Sequence, residues 1–367
     1  MVLAYVGKCT QIKNGIVRST LSLRCEPKCT INVEFDDMAE SPAVTPTIEG
    51  LRHHLSCLIP DFLKCINYTQ PPKADQEALR EALLERGRQA GLYVEPEDGS
   101  NMRFEAGLAV AAEMYPLHPF DIQVHIGLFT WLGFIIDDLN AELGSDLDNF
   151  QSRFFRGDTQ PCVILQCFAS VLSSTTDYYD PVVANLIVLS ALAFVNSNAI
   201  ELRREYQTIA LTREALSWPY YFREKEGLPE VYTYFCFYKE VCPDISRFMP
   251  AAPEMGKFIN LTNDILSYVP SLPCSARRRS LPRNCSFYKE EKAGEVRNYI
   301  HKKALCSGYS PLQVLESTIS ETAIAYTRTL AILKDSHPYD DIWYAYAMGY
   351  IAMHFNTRRY YLAEIVL

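Results

Sequence analysis

From residue 48 to the C-terminus, apolar residues return every three to four positions in one stretch after another, and no run in that span alternates. A period near 3.6 places such residues on one stripe of an α-helix, and a chain made only of such stripes buries itself helix on helix. The stretches cover 48–66, 76–91, 102–114, 120–143, 162–172, 181–205, 230–238, 257–267, 293–305, 311–333 and 342–362. With 367 residues, 48% of them hydrophobic, the chain can fill a large core. It shows no fixed-period repeat and no Gly/Ser linker, so the expected fold is all-α, a single-domain helical bundle spanning 48–367. Residues 1–47 differ in character: scattered Cys, Lys and Thr lead into Glu40-Ser41-Pro42-Ala43-Val44-Thr45-Pro46, which predicts a flexible N-terminal arm.

Charge and cysteine content exclude some functions. A net charge of −9 opposes a nucleic-acid partner, since phosphate binding needs a basic surface. The twelve cysteines form no C-x-x-C pair and no Cys/His cluster. With no secretory leader in view, they predict reduced thiols in a cytoplasmic protein. The longest apolar run, 182–195, is broken by Asn185 and Ser190 and is too short to span a bilayer, so a buried core helix is expected.

Chemistry first shows at Asn263-Asp264-Ile265-Leu266-Ser267. On a helix, positions i, i+4 and i+8 share a face, and a carboxamide, a hydroxyl and a carboxylate there offer three oxygens to one hard cation. Asn263 and Ser267 supply the first two, but i+8 is the uncharged Ser271. With residues 268–286 set aside, Glu290 takes i+8 and Lys289 takes i+7. The 268–286 segment cannot prolong the helix, because Pro270, Pro273 and Pro282 each lack an amide donor. It is rich in Ser, Pro, Arg and Cys, and reads as a retained in-frame intron or, failing that, a surface insertion.

Three further constellations accompany it. An apolar helix runs through Phe129-Thr130-Trp131-Leu132-Gly133-Phe134-Ile135-Ile136 and ends on Asp137-Asp138, with Asn140 and Glu142 beyond. Adjacent acids at the end of a buried helix repel unless a cation compensates them, although a solvated helix end is the plainer reading of an acidic pair alone. In 218–227 an aromatic run precedes Arg223, with Glu226 and Gly227 three and four residues later. Near the C-terminus Arg359-Tyr360 offers a planar donor fork and a hydroxyl, preceded by Trp343, Tyr346 and Tyr350 on one helical face.

In this order, an aspartate pair, an aromatic-Arg-Gly segment, N-D-x-x-S with a displaced K-E, and R-Y, the chain resembles the class I terpene cyclases. The resemblance is closest to the fungal sesquiterpene cyclases of the trichodiene-synthase type. It covers about 48–367 and implies a helical bundle around an apolar cavity. It further implies that Asp137 binds two of three magnesium ions with Asp138 beside it, and that Asn263, Ser267 and Glu290 hold the third. Arg223, Lys289, Arg359 and Tyr360 would grip the diphosphate, with Arg223 as its sensor and Glu226 and Gly227 as linker and effector. The acid that the family usually places four residues after the first Asp is Ala141 here.

The implied activity is ionisation of farnesyl diphosphate and cyclisation of the carbocation to a sesquiterpene hydrocarbon or alcohol. Phe104, Trp131, Phe134, Phe235, Trp343 and Tyr350 are candidate cavity walls, each equally readable as core packing. An isoprenoid diphosphate is the expected small-molecule partner, with no membrane span and a homodimer as the assembly allowed for. Two other readings stand beside this one. A helical protein inactivated by the 268–286 segment is the first, and a chain-elongating prenyltransferase, which would need a second aspartate-rich motif, is the other.

Overall fold

In the computed structural model of the chain, the described residues are 9–13, 16–25, 29–36, 48–94, 99–266 and 298–357. They fall into two compact units, Met1–Leu51 and Arg52–Leu367.

The first unit corrects an expectation. Instead of an arm without regular structure it holds a three-stranded antiparallel meander: β1 (Cys9–Lys13), β2 (Ile16–Cys25) and β3 (Cys29–Asp36). Leu21 stands opposite Val33, and Leu23 opposite Ile31. The physical reason lies in Thr20-Leu21-Ser22-Leu23 and Ile31-Asn32-Val33-Glu34-Phe35, which alternate with the two-residue period of a strand.

Beyond the strands the α-helices of the described residues are numbered in chain order. They are α1 (Ile48–Cys65), α2 (Glu77–Gln89), α3 (Gly99–Ala109), α4 (Phe120–Asp138), α5 (Asn140–Leu143), α6 (Ser145–Arg156), α7 (Val163–Ser174), α8 (Pro181–Glu201), α9 (Arg204–Gln207), α10 (Trp218–Glu226), α11 (Pro229–Phe235), α12 (Ala252–Leu266), α13 (Tyr299–Ser307), α14 (Pro311–Leu333) and α15 (Tyr339–Asn356). Among the described residues of the second unit, all regular elements are helical, so it is the all-α bundle that the periodicity predicts.

Local chemistry sets several of the boundaries. Asp180 accepts from the Val182 N–H with Pro181 opening α8, and Ser310 and Gln313 close a reciprocal capping box on α14. Gly157 and Gly308 end α6 and α13 in the left-handed region.

The centre of the bundle is built on α4, α8, α11, α12 and α15. On α4, Ile126, Phe129, Thr130, Trp131, Leu132, Ile135 and Ile136 are all buried, and on α15 so are Trp343, Tyr346, Tyr350 and His354. Helix α15 approaches α3's π-helical extension, Val110–Met114, so closely that a Cβ on Gly349 would collide with the Glu113 carbonyl.

Among the described residues two helices, α4 and α8, are long and apolar enough to cross a membrane. The sequence judged the run in α8 too short, but 21 residues rise about 31 Å. Burial is what marks them as core: 67% of the apolar window in α4 and 61% of that in α8 lie inside the protein.

Candidate active site

Helix α4 delivers Asp137 and Asp138 together, and helical geometry then separates them, because successive side chains diverge by about 100°. Asp138 turns toward α3, where its Oδ2 accepts from Arg103 Nε at 2.8 Å and its side chain is only 3% exposed. Asp137 is half-buried and acts on different neighbours, Tyr232 of α11 and Glu201 at the end of α8. Burial pushes the Tyr232 hydroxyl up to about 12, and the Asp137 charge adds to the shift. That hydroxyl donates to Thr130, two turns before Asp137 on α4.

The second constellation gathers where α10 meets α11. Gly227 ends α10, Leu228 takes a left-handed backbone (φ 53°), and Pro229 starts α11. A side chain with a Cβ in the left-handed region is strained, so packing must hold Leu228 there, and it is buried. Gly227 is required for space: a Cβ there would collide with Arg223 Nη1 and Asn260 Oδ1.

Arg223 thus lies against α12. Its Nε donates to Asp264 Oδ1 at 2.8 Å, and its Nη2 donates to Asn263 Oδ1 at 3.1 Å. Burial opposes the Arg223 charge, but Asp264 and Glu226 outweigh it and raise its pKa. Burial also raises Asp264 despite the guanidinium beside it, and Asp264 Oδ2 is buried without a hydrogen-bond partner. Asn263 Nδ2 meets His354 Nε2 at 3.2 Å.

An acid cluster joins these two regions. Burial, then the charges of Glu226 and Asp137, push Glu201 well above the usual carboxylate range. Glu226 is paired with Lys302 of α13 at 3.4 Å, and the Lys302 ammonium also donates to Tyr206 Oη at 2.8 Å while lying over the Phe222 ring. Asp137 and the Arg223–Asp264–Asn263 group therefore share the field of one acidic pair. Oxygen donors that repel one another, with Glu201 pushed up by burial and its acidic neighbours and Asp264 keeping one oxygen unmatched, fit a hard divalent cation. Another acidic group, His337 with Asp340 and Asp341, is a surface cluster at the start of α15, about 20 Å of helix away from His354.

The cavity-wall candidates divide. Phe235 packs edge-on against Phe129, while Trp343, Tyr346 and Tyr350 stack in series along α15. Phe104 and Trp131 instead meet each other at 5.1 Å between α3 and α4, with Trp131 against Gly87 of α2. Phe134 is half-buried on α4. Ser267, Lys289, Glu290, Arg359, Tyr360 and the whole 268–286 segment lie outside the described residues.

Sequence reasoning missed Arg103, Glu201, Lys302 and His354. None stands in a motif, and each is defined by a partner far away in sequence, so spacing carried no signal for them.

Comparison with known proteins adds family evidence. The profile of the family described as Trichodiene synthase (TRI5) matches residues 94–366. Terpene synthase BipA of Cochliobolus sativus is 36% identical over 311 residues, covering 84% of this chain and 89% of that one. Longiborneol synthase CLM1 of Gibberella zeae is 30% identical over 295 residues, covering 79% and 81%. In architecture the chain is similar to a linalool/nerolidol synthase from Streptomyces clavuligerus, with TM-score 0.56 at 12% identity over 78% of this chain and 98% of that one.

Proposed function

The chain belongs to the trichodiene synthase family and is a terpene cyclase, and from that premise we propose that it is a magnesium-dependent sesquiterpene cyclase acting on farnesyl diphosphate. The observation that carries the reading is Arg223, its side chain 12% exposed and held between Asp264 and Asn263 at the α10–α11 break, in the field of Glu226, which also acts on Glu201 at the end of α8.

In this proposal Asp137 holds two magnesium ions, and Asn263, with Ser267 and Glu290, holds a third. Asp138 supports Asp137 by tying the end of α4 to Arg103. Bound magnesium would neutralise charge on the departing diphosphate. Arg223, Lys289, Arg359 and Tyr360 grip the same group, their donors strengthened by the exclusion of water. Gly227 lets the backbone beside Arg223 come close to α12. The face of Phe235, Trp343 and Tyr350, together with Phe134, borders the cation, while Phe104 and Trp131 brace α4 from behind. Aromatic faces attract positive charge at about 0.5–2 kcal/mol per contact without acting as nucleophiles. Assembly as a homodimer and a cytoplasmic location complete the proposal.

Incubating purified protein with farnesyl diphosphate and magnesium, followed by analysis of volatiles, tests the reading. A cyclised C15 hydrocarbon or alcohol is expected. A longer linear diphosphate would instead identify a prenyltransferase. Absence of product from the full chain, with product from a variant lacking 268–286, would show that this segment disables the 263–290 helix; absence from both would overturn the assignment.

A further inference from the structure

We propose that His354 is the positioning residue that fixes which way the Asn263 carboxamide points, holding its oxygen toward Arg223 and the metal side and its nitrogen toward α15. The metal part of this statement rests on the reading of Asn263 as a magnesium ligand. The hydrogen-bond part does not.

The assignment follows from groups that can only give or only receive. The Tyr350 carbonyl can only accept, and it lies 2.8 Å from His354 Nδ1, so Nδ1 carries the proton. His354 is fully buried, and the nitrogen that Asn263 turns toward it can only donate, because Oδ1 of the same amide is taken by the donor-only Arg223, so Nε2 is a bare acceptor. Nε2 faces Asn263 Nδ2 at 3.2 Å and receives its N–H. On the other side, Arg223 can only donate, and its Nη2 lies 3.1 Å from Asn263 Oδ1. Polarity therefore runs one way, from guanidinium to amide oxygen, from amide N–H to imidazole, and from imidazole N–H to backbone.

Turning the amide by half a rotation would set its N–H groups against the guanidinium and its oxygen against the imidazole lone pair. Both contacts are part-buried, so water would relieve either mismatch only in part. The turned amide would also present hydrogens, not a lone pair, to a cation. Distance in sequence explains why spacing could not reveal the pairing: Asn263 and His354 stand 91 positions apart. Anchorage is good, because the Tyr350 hydroxyl donates to the Ile259 carbonyl, one turn before Asn263 on α12.

Two measurements on the full chain test the proposal. With histidine labelled in 15N, and His354 assigned by the signal lost in His354→Gln, the neutral Nδ1–H tautomer is expected. A proton on Nε2 overturns the proposal whatever the metal does. The second measurement reads the magnesium concentration needed for half-maximal turnover, and the gain in thermal midpoint given by magnesium with inorganic diphosphate. His354→Leu should need about tenfold more magnesium and lose most of that gain, as substitutions behind a ligand typically do. His354→Gln, whose side-chain carbonyl can still accept, should recover part of both. If Asn263→Ala keeps wild-type magnesium dependence, the metal reading of Asn263 fails while the tautomer result stands. If Asn263→Ala loses it and His354→Leu does not, His354 has no positioning role and the proposal is overturned.

Discussion

Two helix ends bring acids to this site, and they are compensated in opposite ways. At the end of α4, one arginine answers one carboxylate: Arg103 takes Asp138 on the α3 side, and Asp137 is left to the opposite neighbourhood. At the end of α12, one arginine is shared. Arg223 serves Asp264 and Asn263 together and lies in the field of Glu226, which also affects Glu201. The first arrangement is a closed pair that fixes a helix end. The second is an open network, one guanidinium spanning a carboxylate and a carboxamide, and such a network can exchange partners when charged ligands arrive.

Breaking the open network should do the most harm. Arg223→Met leaves Asp264 buried without its counter-charge, for which about 3–5 kcal/mol of stability is the expected loss. Denaturant unfolding measures that loss, and if Arg223 is the diphosphate sensor, as proposed, turnover should vanish with it. Turnover near wild type would show that the α12 network is structural only, and the contrast between the two ends would disappear.

Breaking the closed pair should cost stability more than chemistry. Arg103→Met takes the guanidinium from Asp138, whose side chain is 3% exposed, and about 3 kcal/mol is the expected loss. Below the unfolding temperature turnover should persist at a reduced level, since Arg103 reaches the site only through the end of α4. A loss of turnover as complete as that of Arg223→Met, in protein that remains folded, would place Arg103 on the substrate and erase the distinction.

Sequence alone made parts of this legible and hid others, for physical reasons. Helices read well because a stripe of apolar residues is a local property: α8, α12, α14 and α15 all fall where the period predicts them. Asp137, Arg223 and Asn263 stand out as candidates because short motifs preserve helical spacing. The β1–β2 pairing was missed even though Asn14-Gly15, which joins the two runs in sequence, is a hairpin signal, because the Cys, Lys and Thr content around it weighed more. Residues that act through another residue were invisible. The divergence of Asp137 from Asp138 follows from helix geometry, but Arg103 as the partner of one of them depends on α3 packing against α4, which no spacing encodes.

The finest test separates the ends by pH. Glu201 is pushed well above the usual carboxylate range by burial and by Glu226 and Asp137, while in the unfolded chain it ionises near its ordinary value. A carboxyl raised in the folded state favours folding fully below its unfolded pKa, and that contribution is lost as pH rises through the folded value. Glu201→Gln removes the dependence. The metal-free variant should therefore be more stable than wild type at pH 8, and the difference should shrink to nothing below about pH 4, where both side chains are neutral. Added magnesium should narrow the gap at pH 8, because a cation near Asp137 offsets the repulsion that the glutamine removes. A gap that is the same at both pH values, with or without magnesium, would mean that the acids at the ends of α4 and α8 do not share one field, and the two helix ends would be separate sites.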